Sequence, residues 1–228
     1  PKSQHILFER RSHTTEQHIV YRNFLWLDDR LLVIFDDVYC HEDDSVQFTL
    51  HFNGNYTQNG NAVDFIYEDC RARLISHFPD EMLLEEKQGH PDHEQETDQA
   101  YIELSTAEKK RAQLLIHTLE LDNDRHETKY ERLTGANAVG IRITENGVER
   151  EIWYNTMADG HIMHDNSNNI LSGFDTDAYM LVLTRERPGS PVKALMICGS
   201  YLRRNTKVYI SSFTKLTKET IVDEREAE

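Results

Sequence analysis

The clearest periodicity in the chain lies at residues 46–52. Val46, Phe48, Leu50 and Phe52 alternate there with Gln47, Thr49 and His51. A period of two is what a strand with one buried face requires. Just upstream, residues 24–27 and 31–39 are apolar runs rich in aromatic and branched side chains, separated only by Asp28-Asp29-Arg30. A polar break of that size between two such runs is a hairpin signal. With the acidic turn at 41–45, residues 24–52 read as three consecutive antiparallel strands, and 5–11 and 17–27 as the strands that open the fold. This reading places neighbouring antiparallel strands throughout 5–52, with Phe48 and Leu50 buried on the same side between two sheets.

Further along, 63–68 and 71–78 read as short strands, and 53–61, which begins and ends with Asn-Gly-Asn, as an irregular connection. Residues 79–99 carry Asp80, Glu81, Glu85, Glu86, Asp92, Glu94, Glu96 and Asp98 with few apolar residues after Leu84. They read as a long solvated loop that projects into water, and replacing 85–98 by a short link is expected to change stability little. Residues 105–121 are ambiguous. Ser105-Thr106-Ala107-Glu108 fits a capping box, yet Ala112, Leu114, Ile116 and Thr118 alternate as in a strand buried on both faces. The β context on both sides favours a turn at 105–110 and a strand to Leu121.

In the second half, 138–144 and 148–154 flank Asn146-Gly147, the strongest short hairpin signal in the chain. A two-residue turn sets Arg142 opposite Glu151 and Ile141 opposite Ile152, so charge meets charge and apolar meets apolar. Residues 157–169 are turn-rich, and 178–184, 192–198 and 207–213 supply three more strands. Short strands at such spacing predict an all-β fold: one large antiparallel β-sandwich of two stacked sheets, a single domain over 1–228 with a long acidic loop.

The formal net charge of −15, from 40 acidic and 25 basic residues, argues against nucleic acid or anionic lipid as a partner. No stretch approaches the ~18–20 apolar residues of a membrane-spanning helix. Cys40, Cys70 and Cys198 form no metal-binding pair and read as buried thiols, one disulfide plus a free thiol being the alternative. The start at Pro1, with a strand following at once, reads as the C-terminal part of a longer chain.

The strand LLVIFDDV and the later Leu50-His51-Phe52 resemble the C-terminal β-sandwich of heparinase II/III-like polysaccharide lyases. In that family an aromatic-rich strand precedes a strand bearing an aspartate, and a Leu-His-Phe strand follows. Residues 20–27, residues 32–38 with Asp36 or Asp37, and residues 50–52 fill those places. The later order is similar too: a strand ending near Pro79, a divergent acidic loop, LLIHTLEL, and a hairpin beginning GIRI. The resemblance implies an accessory domain behind a helical toroid of the same parent protein, periplasmic or secreted, meeting an anionic polysaccharide through that toroid. Lyases of this kind cleave uronic-acid-containing glycans such as glycosaminoglycans or alginate by β-elimination. A Tyr or His removes the C5 proton while a polar group neutralises the carboxylate. The family's sandwich carries a His-x-His-x-Asp stretch, metal-binding in some members, that this sequence lacks. No catalytic residue and no cofactor is therefore assigned.

The remaining chemistry is sparse. His51 could face a substrate, although a hydrogen-bonded structural histidine is the plainer reading. Arg71 and Arg73 share a strand face and could grip a carboxylate, surface ion pairs being the plainer use. His90, Asp92 and His93 could ligate zinc, but they lie in the solvated acidic stretch. Trp26 and Trp153 read as core. Alternatives to the lyase accessory are a freestanding carbohydrate-binding, lectin-like module, which needs exposed aromatics on one sheet face, and a structural interaction sandwich.

Overall fold

The computed structural model describes residues 4–11, 19–52, 54–89, 99–121, 128–158 and 167–222. Among them every helix or strand is a strand, and every strand pairing is antiparallel, so the fold class read from the sequence holds. Contacts group the chain into two compact units, Pro1–Arg125 and His126–Glu228.

The first unit contains β1 (Gln4–Arg11), β2 (Ile19–Trp26), β3 (Leu31–Asp44), β4 (Gln47–His51), β5 (Asn55–Asn59), β6 (Ala62–Tyr67), β7 (Cys70–Phe78), β8 (Met82–Gly89), β9 (Gln99–Thr106) and β10 (Lys110–Leu121). A seven-stranded sheet runs β1-β2-β3-β10-β7-β6-β5, and a three-stranded sheet runs β4-β9-β8. Residues 105–121 are thus a strand end, a turn and a strand, as the alternation implied.

The two sheets stack. Ile34 and Val38 of β3, Leu115 of β10, Leu74 of β7 and Val63 and Phe65 of β6 pack in one cluster with Phe48 of β4 and Ile102 and Leu104 of β9. Val46, Leu50 and Phe52 join Phe48 there, the apolar side of the alternation at 46–52. Burying side chains of this size stabilises by about 1.5–3 kcal/mol each. β3 is apolar on both sides because both are covered: Val33 and Phe35, on its other face, are buried too.

Three expectations need correction. β4 does not extend the β2–β3 meander; β10 takes the place beside β3, and β4 pairs with β9 in the second sheet. Within 79–99, β8 is a strand paired along its length with β9 from Met82↔Thr106 to Gly89↔Gln99. The irregular stretch at 53–61 holds β5, paired with β6.

Polar side chains also line this core. Arg22 grips Asp36 through two bonds of 2.7 Å, and its guanidinium carbon lies 5.1 Å from the centre of the Phe48 ring. The other neighbour of Phe48 is His117, ring centres 4.5 Å apart, whose Nδ1 is 3.0 Å from Ser76 Oγ. Burial, then the charges of His77 and Arg22, push the His117 imidazole down to about 3.

The second unit contains β11 (Thr128–Gly135), β12 (Ala138–Glu145), β13 (Val148–Asn155), β14 (Asn169–Leu171), β15 (Phe174–Thr176), β16 (Met180–Arg185), β17 (Val192–Arg204) and β18 (Lys207–Val222). They form one sheet in the order β11-β12-β13-β16-β17-β15-β14, with β18 paired to β17. The β12–β13 register is the one the turn residues imply, Ile141↔Ile152 and Arg142↔Glu151, with Asn146 and Gly147 at φ 50° and 78°.

The β14 end of this strand order folds back onto β13 and the turn between β11 and β12. Asn169 of β14 donates to Asn137 O at 2.6 Å and to Asn155 Oδ1 at 3.0 Å, and Ser172 donates to Glu151 of β13 at 2.6 Å. The sheet therefore curls around its own core, which includes Phe174, Leu181, Met196, Leu202 and Ile210. The long β17–β18 pair is not straight. Tyr201 pairs with Ser211 and Gly199 with Leu216, so residues 212–215 bulge opposite Ser200, and Phe213 stands fully exposed on the bulge.

Candidate functional site

The outward face of the three-stranded sheet brings polar and aromatic side chains of β4, β9 and β8 together. Strand alternation produces it. Phe48, Leu50, Ile102, Leu104, Met82 and Leu84 point into the sandwich, so their neighbours point out. Register then sets them in three rows: Gln47–Ser105–Leu83, Thr49–Glu103–Glu85 and His51–Tyr101–Lys87.

In the third row the His51 and Tyr101 rings are 5.0 Å apart, tilted by 37°. Lys87 Nζ donates to Glu103 Oε1 at 2.5 Å and lies 3.6 Å from Glu85. The hydrogen bond to Glu103 holds the Lys87 ammonium above its ordinary range. Ser105 Oγ donates to the same Glu103 oxygen at 3.4 Å, and Glu103 itself is buried beneath these partners. Gly89 lies diagonally across from Tyr101; a Cβ there would stand 3.1 Å from Tyr101 Cε1.

His51, selected from the sequence, is exposed on this face and stacked on a tyrosine. Arg71 and Arg73 lie on β7 in the other sheet. Arg73 is held by Asp64 through bonds of 2.6 and 3.1 Å, the surface ion pair that was the plainer reading. His51 and the two arginines therefore do not share a site. His90, Asp92 and His93 lie outside the described residues, among which no group of three metal-ligating side chains occurs. Trp26 is 36 % exposed rather than core, while Trp153 packs on the core of the second unit and donates to Glu151. The cysteines are all free thiols, and Cys70 is exposed rather than buried.

Tyr101, Lys87 and Glu103 were not singled out in the sequence. The signal for Tyr101 and Glu103 exists, since Tyr101, Glu103 and Ser105 alternate with Ile102 and Leu104. For Lys87 the signal is weak, because only Met82 and Leu84 mark the inward side of β8.

A cleft of about 480 Å³ opens elsewhere in the first unit, between the turn after β7 and the turn before β10. Asp80, Glu81 and Glu108 line it with Lys110, which is paired to Glu108. Its polar side chains serve the turns themselves: Gln113 donates to Asp44 O at 2.6 Å and Thr106 to Glu108 O at 3.1 Å. An anionic ligand would meet carboxylates there.

The sequence matches no protein-family model and no curated protein. Among solved structures, the chain is similar to a heparinase III, the BT4657 gene product, with a TM-score of 0.48 and 15% identity over 67% of this chain and 28% of that one. It is similar also to the heparan sulfate lyase HepC from Pedobacter heparinus, with a TM-score of 0.47 and 14% identity over 70% of this chain and 29% of that one. The chain thus spans less than a third of either.

Proposed function

We propose that the chain is an accessory, glycan-facing β-domain of a polysaccharide lyase acting by β-elimination on uronic-acid-containing glycans, and that it is not catalytic by itself. Its partner is a helical toroid of the same parent protein, which brings the polysaccharide. The observation that carries this reading is the placement of the Leu50-His51-Phe52 stretch. Leu50 and Phe52 anchor it in the sandwich, while His51 projects outward beside Tyr101 and Lys87. The other family-like segments also occupy structural places, residues 32–38 in the interior strand β3 and GIRI in the β12–β13 hairpin.

The absence of catalysis is argued from the state of the acid–base candidates. His117 is fully enclosed, His77 is 2.9 Å from Thr118 Oγ1 in the interior, and Asp36 is locked to Arg22. These three do not reach solvent, and the outward-facing His51 and Tyr101 have beside them Glu85, Glu103 and a Lys87 already bonded to Glu103, which leaves no cation to neutralise a substrate carboxylate. Incubation of the chain alone with heparan, alginate and chondroitin, following the absorbance of the unsaturated uronate product, is expected to show no turnover. Turnover on any of them would place the base in this chain and overturn the reading.

A further inference from the structure

We infer that the turn between β17 and β18 is an anion subsite, at which Arg204 and Lys207 together hold a carboxylate or sulfate carried on a glycan. The inference rests on the lyase reading for the choice of a glycan, and on the second unit alone for its geometry. The chain has 25 basic residues against 40 acidic ones, yet at 203–207 every charged side chain is a cation: Arg203, Arg204 and Lys207, around Asn205-Thr206.

Register is the first argument. Arg204 and Lys207 are cross-strand partners on either side of the two-residue turn, so their side chains leave the same face, from Cβ atoms about 4.5–5.5 Å apart. Like charges set directly opposite each other weaken a strand pair, and an anion seated between them reverses that cost. Each head is also placed in advance. The Arg204 guanidinium carbon lies 5.2 Å from the centre of the Phe174 ring and Lys207 Nζ 5.2 Å from that of Tyr209, the two ring centres being 6.2 Å apart. An aromatic face fixes a cation without neutralising it, which lowers the ordering cost of binding.

Selection is the second. Arg203 leaves the opposite face, where Asp175 takes it on one oxygen and the Tyr201 hydroxyl on the other at 2.7 Å. Arg203 is thereby committed, and the subsite is the Arg204–Lys207 pair. The planar guanidinium matches two oxygens of a carboxylate or sulfate, and the ammonium adds a point charge. Beside them the exposed Asn205 and Thr206 offer donors and acceptors to sugar hydroxyls. A duplex nucleic acid brings one charge every ~1.7 Å of its axis, and the acidic excess of this chain would repel most of them. A glycan bearing one anion per sugar can bring a single charge to the turn. The Tyr209 hydroxyl is buried, so the pair holds an anion without supplying a base.

Calorimetric titration of the full chain at low salt tests this, with a uronate and a sulfated oligosaccharide beside a neutral one of the same length, inorganic sulfate and a DNA duplex. At least one acidic oligosaccharide is expected to bind, more weakly as salt rises, and the neutral one is not. Arg204→Ala and Lys207→Ala should each weaken binding by about fivefold or more, and Arg204→Lys by less than Arg204→Ala. Lys193→Ala, the same change of charge at the other end of β17, should leave it unchanged. If Arg204→Ala, which uncovers Phe174, does not fold, Lys207→Ala on the exposed side of the turn reads the same pair. The inference is overturned if no acidic oligosaccharide binds, or if the neutral one, inorganic sulfate or DNA binds as tightly. It is overturned also if Lys207→Ala has no more effect than Lys193→Ala. Each of these results leaves the lyase reading standing, whereas turnover by the isolated chain would overturn that reading and not the subsite.

Discussion

Ser76 Oγ and His117 Nδ1 face each other across 3.0 Å in the interior of the first unit, and no hydrogen-bond partner meets His117 Nε2 among the described residues. A neutral imidazole can accept from the serine and remain there. An imidazolium would add a buried charge beside His77 and the Arg22 guanidinium, with Asp36 already engaged by Arg22.

That arrangement gives a pH dependence with a definite sign. The unfolded histidine takes a proton near 6.5, the folded one only at about 3. Between these values the unfolded state binds more protons, so the contribution of His117 to stability is whole above about 6.5 and is lost as pH falls, by about 1.4 kcal/mol per pH unit, until it levels at about 3. Denaturant melts of wild type and His117→Gln across this range should show the wild type losing stability more steeply on acidification. Parallel curves would mean that His117 does not titrate as described.

The Arg22–Asp36 pair should tolerate joint removal better than single removal. Burial pushes the Asp36 carboxyl up even against the opposing pull of Arg22, so Asp36 depends on its partner to stay charged. Arg22→Met should cost about 2–3 kcal/mol, toward the low end for a buried pair because the arginine side chain is 36% exposed. Adding Asp36→Leu should recover most of the loss. A double-mutant cycle in which the two changes simply add would contradict this.

Two glycines of the β12–β13 hairpin separate conformational cost from steric cost. Gly147 has φ 78° with nothing within 4 Å of an added Cβ, so Gly147→Ala should cost only about 1 kcal/mol. At Gly140 the Cβ would stand 2.2 Å from the Ile152 carbonyl oxygen, and Gly140→Ala should cost about 2 kcal/mol or more. Thermal melts that rank the pair the other way would show that the hairpin shifts to make room.

Replacing residues 85–98 by a short Gly-Ser link now has a different expected outcome from the one that composition suggests. The change removes more than half of β8 and, with Lys87, the main partner of buried Glu103. A loss of about 2–4 kcal/mol follows from the broken ladder and the orphaned carboxylate. Denaturant unfolding of the trimmed and parent chains measures it, and a loss below ~1 kcal/mol would show the outer strand to be dispensable.

These contrasts mark what a sequence of this kind reveals. Arg142 and Glu151 were paired in advance because a two-residue turn sets register by local geometry alone. Phe48 was placed inward because one strand's alternation suffices. β8 was hidden because Glu85, Glu86, Lys87 and Gln88 carry no apolar alternation; the strand exists through its pairing with β9. β5 was hidden likewise, an Asn- and Gln-containing edge strand made by β6. The move of β4 into the other sheet depends on β10 competing for the edge of β3 from more than 60 residues away, a choice that no local signal encodes. The Tyr101 face needs three strands brought into register, so the alternation at 46–52 marks His51 alone, without its neighbours.

The bulge at residues 212–215 has a consequence for how the protein meets copies of itself. β18 is 16 residues long, has no second strand beside it among the described residues, and contains no proline. A straight edge of that length would be a template on which a neighbouring molecule could zip up, bond after bond, into an open-ended fibre. The bulge interrupts that template near its middle, and the exposed ring of Phe213 stands at the break. Any strand growing along this edge would lose its register after a few residues, so the irregularity acts as a stop against polymerisation.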